Sequence, residues 1–115
     1  MESPAQLRDT LRHSVAGDLN EGFDSTAVWS SLRFAYRREL LKIAIFDLEQ
    51  VDAEEGLPRV AASLADLAGA ALDAALDVAR AELQLKTEHG DFSQREVSGT
   101  ALSVIAMGKC GAREL

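Results

Sequence analysis

The residues best placed to do chemistry are Gly108-Lys109-Cys110-Gly111, which follow a short apolar run. Glycines let backbone amides approach an anion with no side chain in the way, and a lysine adds a cation. A strand that delivers such a turn is a common cradle for polyphosphate. The spacing is not that of a P-loop. No glycine stands at the required offset before Gly108, and Cys110 replaces the serine or threonine that would meet magnesium. It is not GxGxxG either. On spacing alone, a phosphate turn and an ordinary strand-to-helix turn both remain open.

Other polar groups offer less. Arg33, Arg37, Arg38 and Lys42 fall along one side of a helical pattern. They could meet AMP, phosphate or an acidic protein face, or simply be solvated and paired with Glu39 and Asp47. His13 and His89 have no second histidine or cysteine at ligand spacing, which argues against a metal site. Cys110 beside Lys109 could carry a lowered pKa, but a catalytic role is not expected of it. Asp52, Glu54 and Glu55 read as solvated loop acids, and Trp29 and Tyr36 as core packing.

The elements that must position these residues are mostly helical. Aromatics make up only 5% of a chain that is 47% hydrophobic, so small aliphatic side chains supply the apolar material and suit closely packed helices. Ser3-Pro4 is a helix-start signal. Leu7, Leu11 and Val15 recur at four-residue spacing, and Gly17 closes a short first helix that needs a docking surface to persist. Residues 17–24 read as a loop. A second helix is expected from a cap at Ser25 to about Gln50. Its stripe of Trp29, Leu32, Tyr36, Leu40 and Ile43 is widened by Phe34, Leu41, Ile45 and Leu48, so more than one neighbour should bury it. Gly56 to Pro58 reads as the next break. An alanine-rich third helix follows to about Lys86, paired with the second as an antiparallel hairpin. Residues 87–99 look like an exposed polar loop. Ala101 to Met107, β-branched and bounded by Gly99 and Gly108, reads as a buried strand.

The string from Val104 to Leu115, Val-Ile-Ala-Met-Gly-Lys-Cys-Gly-Ala-Arg-Glu-Leu, resembles the opening of the nucleotidyltransferase signature in glutamine synthetase adenylyltransferase/adenylyl-removing enzymes. Leu32 to Ala44 is similar to that family's arginine-rich helix, and Leu64-Ala65-Asp66-Leu67-Ala68 to the helix after it. The likeness covers most of residues 28–115 in order. Cys110 and Ala112 resemble the actinobacterial branch, and the N-terminal, adenylyl-removing half.

The resemblance implies a fold that is mostly α with one C-terminal strand, a helical hairpin leading into a truncated α+β nucleotidyltransferase fold. The chain is expected to divide into a helical region at 1–86, a loop at 87–99, and the first strand with its Gly-rich turn of a truncated nucleotidyltransferase domain at 100–115. The resemblance implies magnesium and ATP or AMP as cofactors of the intact enzyme, with Gly108, Lys109 and Gly111 as nucleotide-phosphate contacts. Glutamine synthetase is the implied partner, with a nitrogen-signalling regulatory protein as a further one for the intact enzyme. The family continues into an Asn-aromatic-x-Ser-Asp-x-Asp run, whose carboxylates this chain does not contain. No metal ligand or catalytic residue is therefore carried over, and the chain is expected to be an inactive piece of the enzyme. The competing class is a non-catalytic helical interaction module.

Nineteen acidic against 12 basic residues give a net charge of -7, which disfavours non-specific adhesion to nucleic acid or anionic membrane. No run is apolar enough for a membrane span. The opening residues lack a secretory pattern. A single cysteine fits a reducing cytoplasm.

Overall fold

A computed structural model of the chain describes residues 1–20, 24–88, 90 and 93–113. Three long helices carry the fold: α1 (Pro4–Asn20), α2 (Ser25–Glu49) and α3 (Ala53–Glu88). Two short ones follow, α4 (Gln94–Gly99) and α5 (Gly108–Gly111).

α1 opens with a reciprocal cap. The Gln6 amide donates to Ser3 Oγ at 3.2 Å, and the Ser3 amide to Gln6 Oε1 at 2.8 Å, so two free donors are satisfied at once. Leu7, Leu11 and Val15 are buried, which supplies the docking surface this helix requires. It runs through Gly17 to Asn20, so the loop begins later than composition suggests. Of that expected loop, residues 21–23 lie outside the described residues.

The cap of α2 is Asp24 rather than Ser25. Asp24 Oδ1 accepts from the Thr26 and Ala27 amides at 3.0 and 3.5 Å. Ser25 Oγ instead donates to Glu82 Oε1 at 2.7 Å, and Trp29 Nε1 reaches the same oxygen at 3.3 Å. These bonds tie the start of α2 to the end of α3, as an antiparallel hairpin demands. Ion pairs Arg8–Asp73 (3.1 Å) and Arg12–Asp77 (3.0 Å) advance together along α1 and α3, so those two helices run parallel. The result is an up-down-up three-helix bundle.

α3 starts earlier than its glycine and proline suggest. Asp52 Oδ1 accepts from the Glu54 and Glu55 amides at 3.0 and 3.3 Å, so a residue read as a solvated loop acid is a helix cap. Gly56 sits under the Gln50 side chain, where a Cβ would meet Cγ at 2.7 Å. Pro58 lies inside the helix, at the cost of the backbone bond its missing N–H cannot make. At about 1.5 Å per residue, the 36 residues of α3 set the 57 Å long axis of the molecule. Val60, Leu67, Ala70, Ala74 and Val78 form its buried seam, and the alanines let α1 and α2 approach closely.

α2 is buried on one face only. Val28, Leu32, Ala35, Glu39 and Ile43 point inward against α1 and α3, while Phe34 (70% exposed), Leu41 (60%) and Leu48 (84%) point out. Trp29 and Tyr36 do pack against the core.

The expected C-terminal strand is not found. No strand occurs among the described residues, and 100–107 has no regular secondary structure, with Ile105 at 81% exposure. A β-branched apolar run has the composition of a strand, but a strand also needs a partner edge, and none of the described residues offers one. The α+β nucleotidyltransferase fold is corrected accordingly: the described chain is helical. The stretch read as a polar loop contains α4, which Ser93 and Glu96 begin with a capping box.

Candidate functional site

The Gly108-Lys109-Cys110-Gly111 turn is the single turn of α5, closed by bonds from the Ala112 amide to the Gly108 carbonyl (3.1 Å) and from the Arg113 amide to the Cys110 carbonyl (3.2 Å). Gly108 has φ +63°, which favours glycine. Gly111 lies so close to the Ala106 carbonyl that a Cβ would sit 2.5 Å from its oxygen. Both glycines are thus required by the backbone itself. Lys109 and Cys110 are exposed.

The turn is fastened to α3. Arg113 Nε donates to Asp66 Oδ1 at 3.0 Å and Nη2 to Asp66 Oδ2 at 2.8 Å, a two-pronged contact on a carboxylate that is only 13% exposed. A shallow cleft forms there, lined by Arg8, Asp66, Asp73, Val104, Cys110 and Arg113 among others. Sequence reasoning missed Asp66, Asp73 and Arg8 as neighbours of the turn. Arg113 and Asp66 are 47 positions apart, and no local pattern marks such a pairing.

The basic group of α2 lies elsewhere. Lys42 Nζ contacts Glu39 Oε1 at 3.0 Å and Glu2 Oε1 at 3.4 Å, and Arg38 Nε lies 3.5 Å from Glu39 Oε1. Glu39 is 1% exposed, and Glu2, Glu39 and Lys42 border a cavity of about 420 Å³ with Gln6, Phe46 and Ser63. Burial pushes the Glu39 carboxyl up. The hydrogen bonds of Lys42 and Glu2, with the charges of Lys42 and Arg38, outweigh it and hold the group below its ordinary 4.5. The hydrogen bond to Glu39 raises Lys42 in turn, against its own desolvation. For Arg38 and Lys42, the reading of cations paired with Glu39 is the one the structure bears out. Arg33 and Arg37 are exposed.

His13 is exposed on α1, and His89 lies outside the described residues. No group of three potential metal ligands converges among the described residues. Among the described residues, no helix is long and apolar enough to cross a membrane.

A family model described as glutamate-ammonia ligase adenylyltransferase matches residues 1–115. A bifunctional glutamine synthetase adenylyltransferase/adenylyl-removing enzyme of Leifsonia xyli subsp. xyli is 47% identical over 118 residues, covering 100% of this chain and 11% of the relative. The protein of that name in Mycolicibacterium smegmatis is 42% identical over 119 residues, again 100% of this chain and 11% of the relative. The one in Mycobacterium avium is 51% identical over 111 residues, 93% of this chain and 10% of the relative. No solved structure matches. The chain spans about a tenth of the length of these relatives, and it belongs to the glutamate-ammonia ligase adenylyltransferase family.

Proposed function

We propose that this chain is part of the adenylyl-removing half of an enzyme that attaches AMP from ATP to a tyrosine of glutamine synthetase and removes it by phosphorolysis. Membership of the family along all 115 residues carries the reading. Within the chain, Lys109 is the residue assigned to the nucleotide phosphates, flanked by Gly108 and Gly111. The glycines are explained by backbone geometry, so the phosphate role rests on the exposed Lys109 cation.

ATP and magnesium belong to the intact enzyme, where positioning and charge neutralisation dominate phosphoryl-type transfer. Because no metal cluster forms among the described residues, no step is assigned to a metal here. What Lys109 can do is neutralise charge on a bound phosphate. The chain by itself is assigned no turnover. Glutamine synthetase is the proposed protein partner, with a nitrogen-signalling regulator as a further one, in the cytoplasm.

A second reading, a non-catalytic interaction module, is favoured by the outward apolar stripe of Phe34, Leu41, Ile45 and Leu48 on α2. The two separate in one experiment. ATP and AMP are titrated into the isotope-labelled chain, and the amides of 108–111 are followed by NMR. In parallel, adenylylated glutamine synthetase and inorganic phosphate are incubated with the chain and ADP is assayed. Shifts at Lys109 and Gly111 that vanish in Lys109→Ala, with no ADP formed, are expected. Unshifted amides would remove the phosphate role, and steady ADP release would refute the assignment of inactivity.

A further inference from the structure

We propose that Asp66 is a positioning residue for the Gly108–Gly111 turn, acting through Arg113. This rests on the phosphate reading above for its functional meaning, and on geometry alone for its structural content.

Among the described residues, the contact with Arg113 is the one side-chain hydrogen bond or ion pair that joins residues 93–113 to the three-helix bundle. Both carboxylate oxygens of Asp66 are engaged, at 3.0 and 2.8 Å, so the guanidinium plane is fixed in orientation as well as distance. Asp66 itself is anchored, because the next residue, Leu67, is fully buried in the core seam. The other acid of the cleft, Asp73, is occupied by Arg8 at 3.1 Å. Asp66 is therefore the acid left for Arg113.

From Arg113 the constraint runs back to Lys109 over a short, stiff path. Arg113 has φ +57°, a left-handed conformation that a non-glycine residue holds where its surroundings over-determine it. Its amide bonds the Cys110 carbonyl, and Gly111 is pressed on the Ala106 carbonyl. Hydrophobic burial does not do this work. Leu102, Val104, Ile105 and Met107 are all more than half exposed, at 62, 53, 81 and 82%. The clamp also joins the two stretches, 64–68 and 104–113, on which the family likeness was first read.

Arg113 lies on the surface, outside the core seam, so losing this ion pair should leave the bundle folded, and this separates a positioning role from a general structural one. Amide exchange of Gly111, Ala112 and Arg113 is measured in the 115-residue chain and in Asp66→Asn, Arg113→Gln and the exchanged pair Asp66→Arg/Arg113→Asp. Both single variants should speed exchange at these amides about tenfold, on the scale of one lost charge-assisted contact. Core amides such as Leu67 and Ala74 should be unchanged, and the exchanged pair should restore protection. The singles should also weaken the ATP response at Lys109, and the exchanged pair should recover it. Unchanged exchange at 111–113 in Arg113→Gln, whose site is exposed and cannot unfold the bundle, overturns the clamp. Faster exchange in a chain whose Lys109 never responds to ATP upholds the clamp and overturns the phosphate reading instead.

Discussion

Leu11 and Ile105 are both large aliphatic residues, one on a helical stripe and one in a short apolar run, yet Leu11 is fully buried and Ile105 is 81% exposed. The bundle of α1, α2 and α3 gives each inward-facing apolar stripe two facing helices. The segment 100–107 has one side of α3 to lie along and nothing on its other side among the described residues. Apolar character makes burial favourable, but a complementary surface decides whether it happens.

The largest expected effect tests this difference directly. Leu67→Ala removes a side chain from the centre of the core seam and should cost about 2–5 kcal/mol in urea denaturation, through lost transfer energy and a residual cavity. Ile105→Ala should change stability by less than about 0.5 kcal/mol, as exposed substitutions do. Equal losses at the two positions would mean that the tail is packed as tightly as the bundle.

Next comes Glu39, the one fully buried acid among the described residues. Glu39 is buried beside Lys42, Arg38 and Glu2, and its folded pKa lies below the unfolded value. A carboxylate shifted down stabilises the fold above its unfolded pKa, and that contribution disappears as pH falls through the folded pKa. Wild-type stability should therefore drop on acidification below the ordinary 4.5. Glu39→Gln should flatten that part of the profile and cost about 1–3 kcal/mol at neutral pH, since Lys42 loses its charged partner. Parallel pH profiles for the two proteins would place the acid sensitivity elsewhere.

How much of this was legible in the sequence follows the range of the forces. The Leu7-Leu11-Val15 spacing and the alanine seam of α3 report local periodicity, which is enough to mark both segments as helices. Boundaries moved where a side chain made an unexpected bond: Asp24 capped α2 in place of Ser25, and Asp52 capped α3 upstream of Pro58. The run Ala101 to Met107 has strand composition, but pairing is a non-local property that composition cannot supply. At the turn, Gly108 and Gly111 could be found by type and spacing. Asp66 could not, because its tie to Arg113 spans 47 positions and follows from how the tail lies on α3.

The smallest expected effect concerns the outer face of α2, which resembles the tail more than the core. Phe34, Leu41 and Leu48 recur at seven-residue spacing on the side opposite Val28, Leu32 and Ile43. The sequence reading asked for a second neighbour on this stripe. α1 and α3 both pack on the inner half instead, and the outer half faces solvent. Leu41→Ser should then shift stability by no more than about 0.5 kcal/mol, because little apolar area changes its exposure on unfolding. Leu32→Ser, nine positions earlier on the inner face, should cost several times more, since it would strand a hydroxyl in the core. The ratio of the two losses in urea denaturation measures how one-sided α2 is. A ratio near one would show that something already covers the outer face in solution, and the same pair measured with glutamine synthetase present would show whether that protein does so.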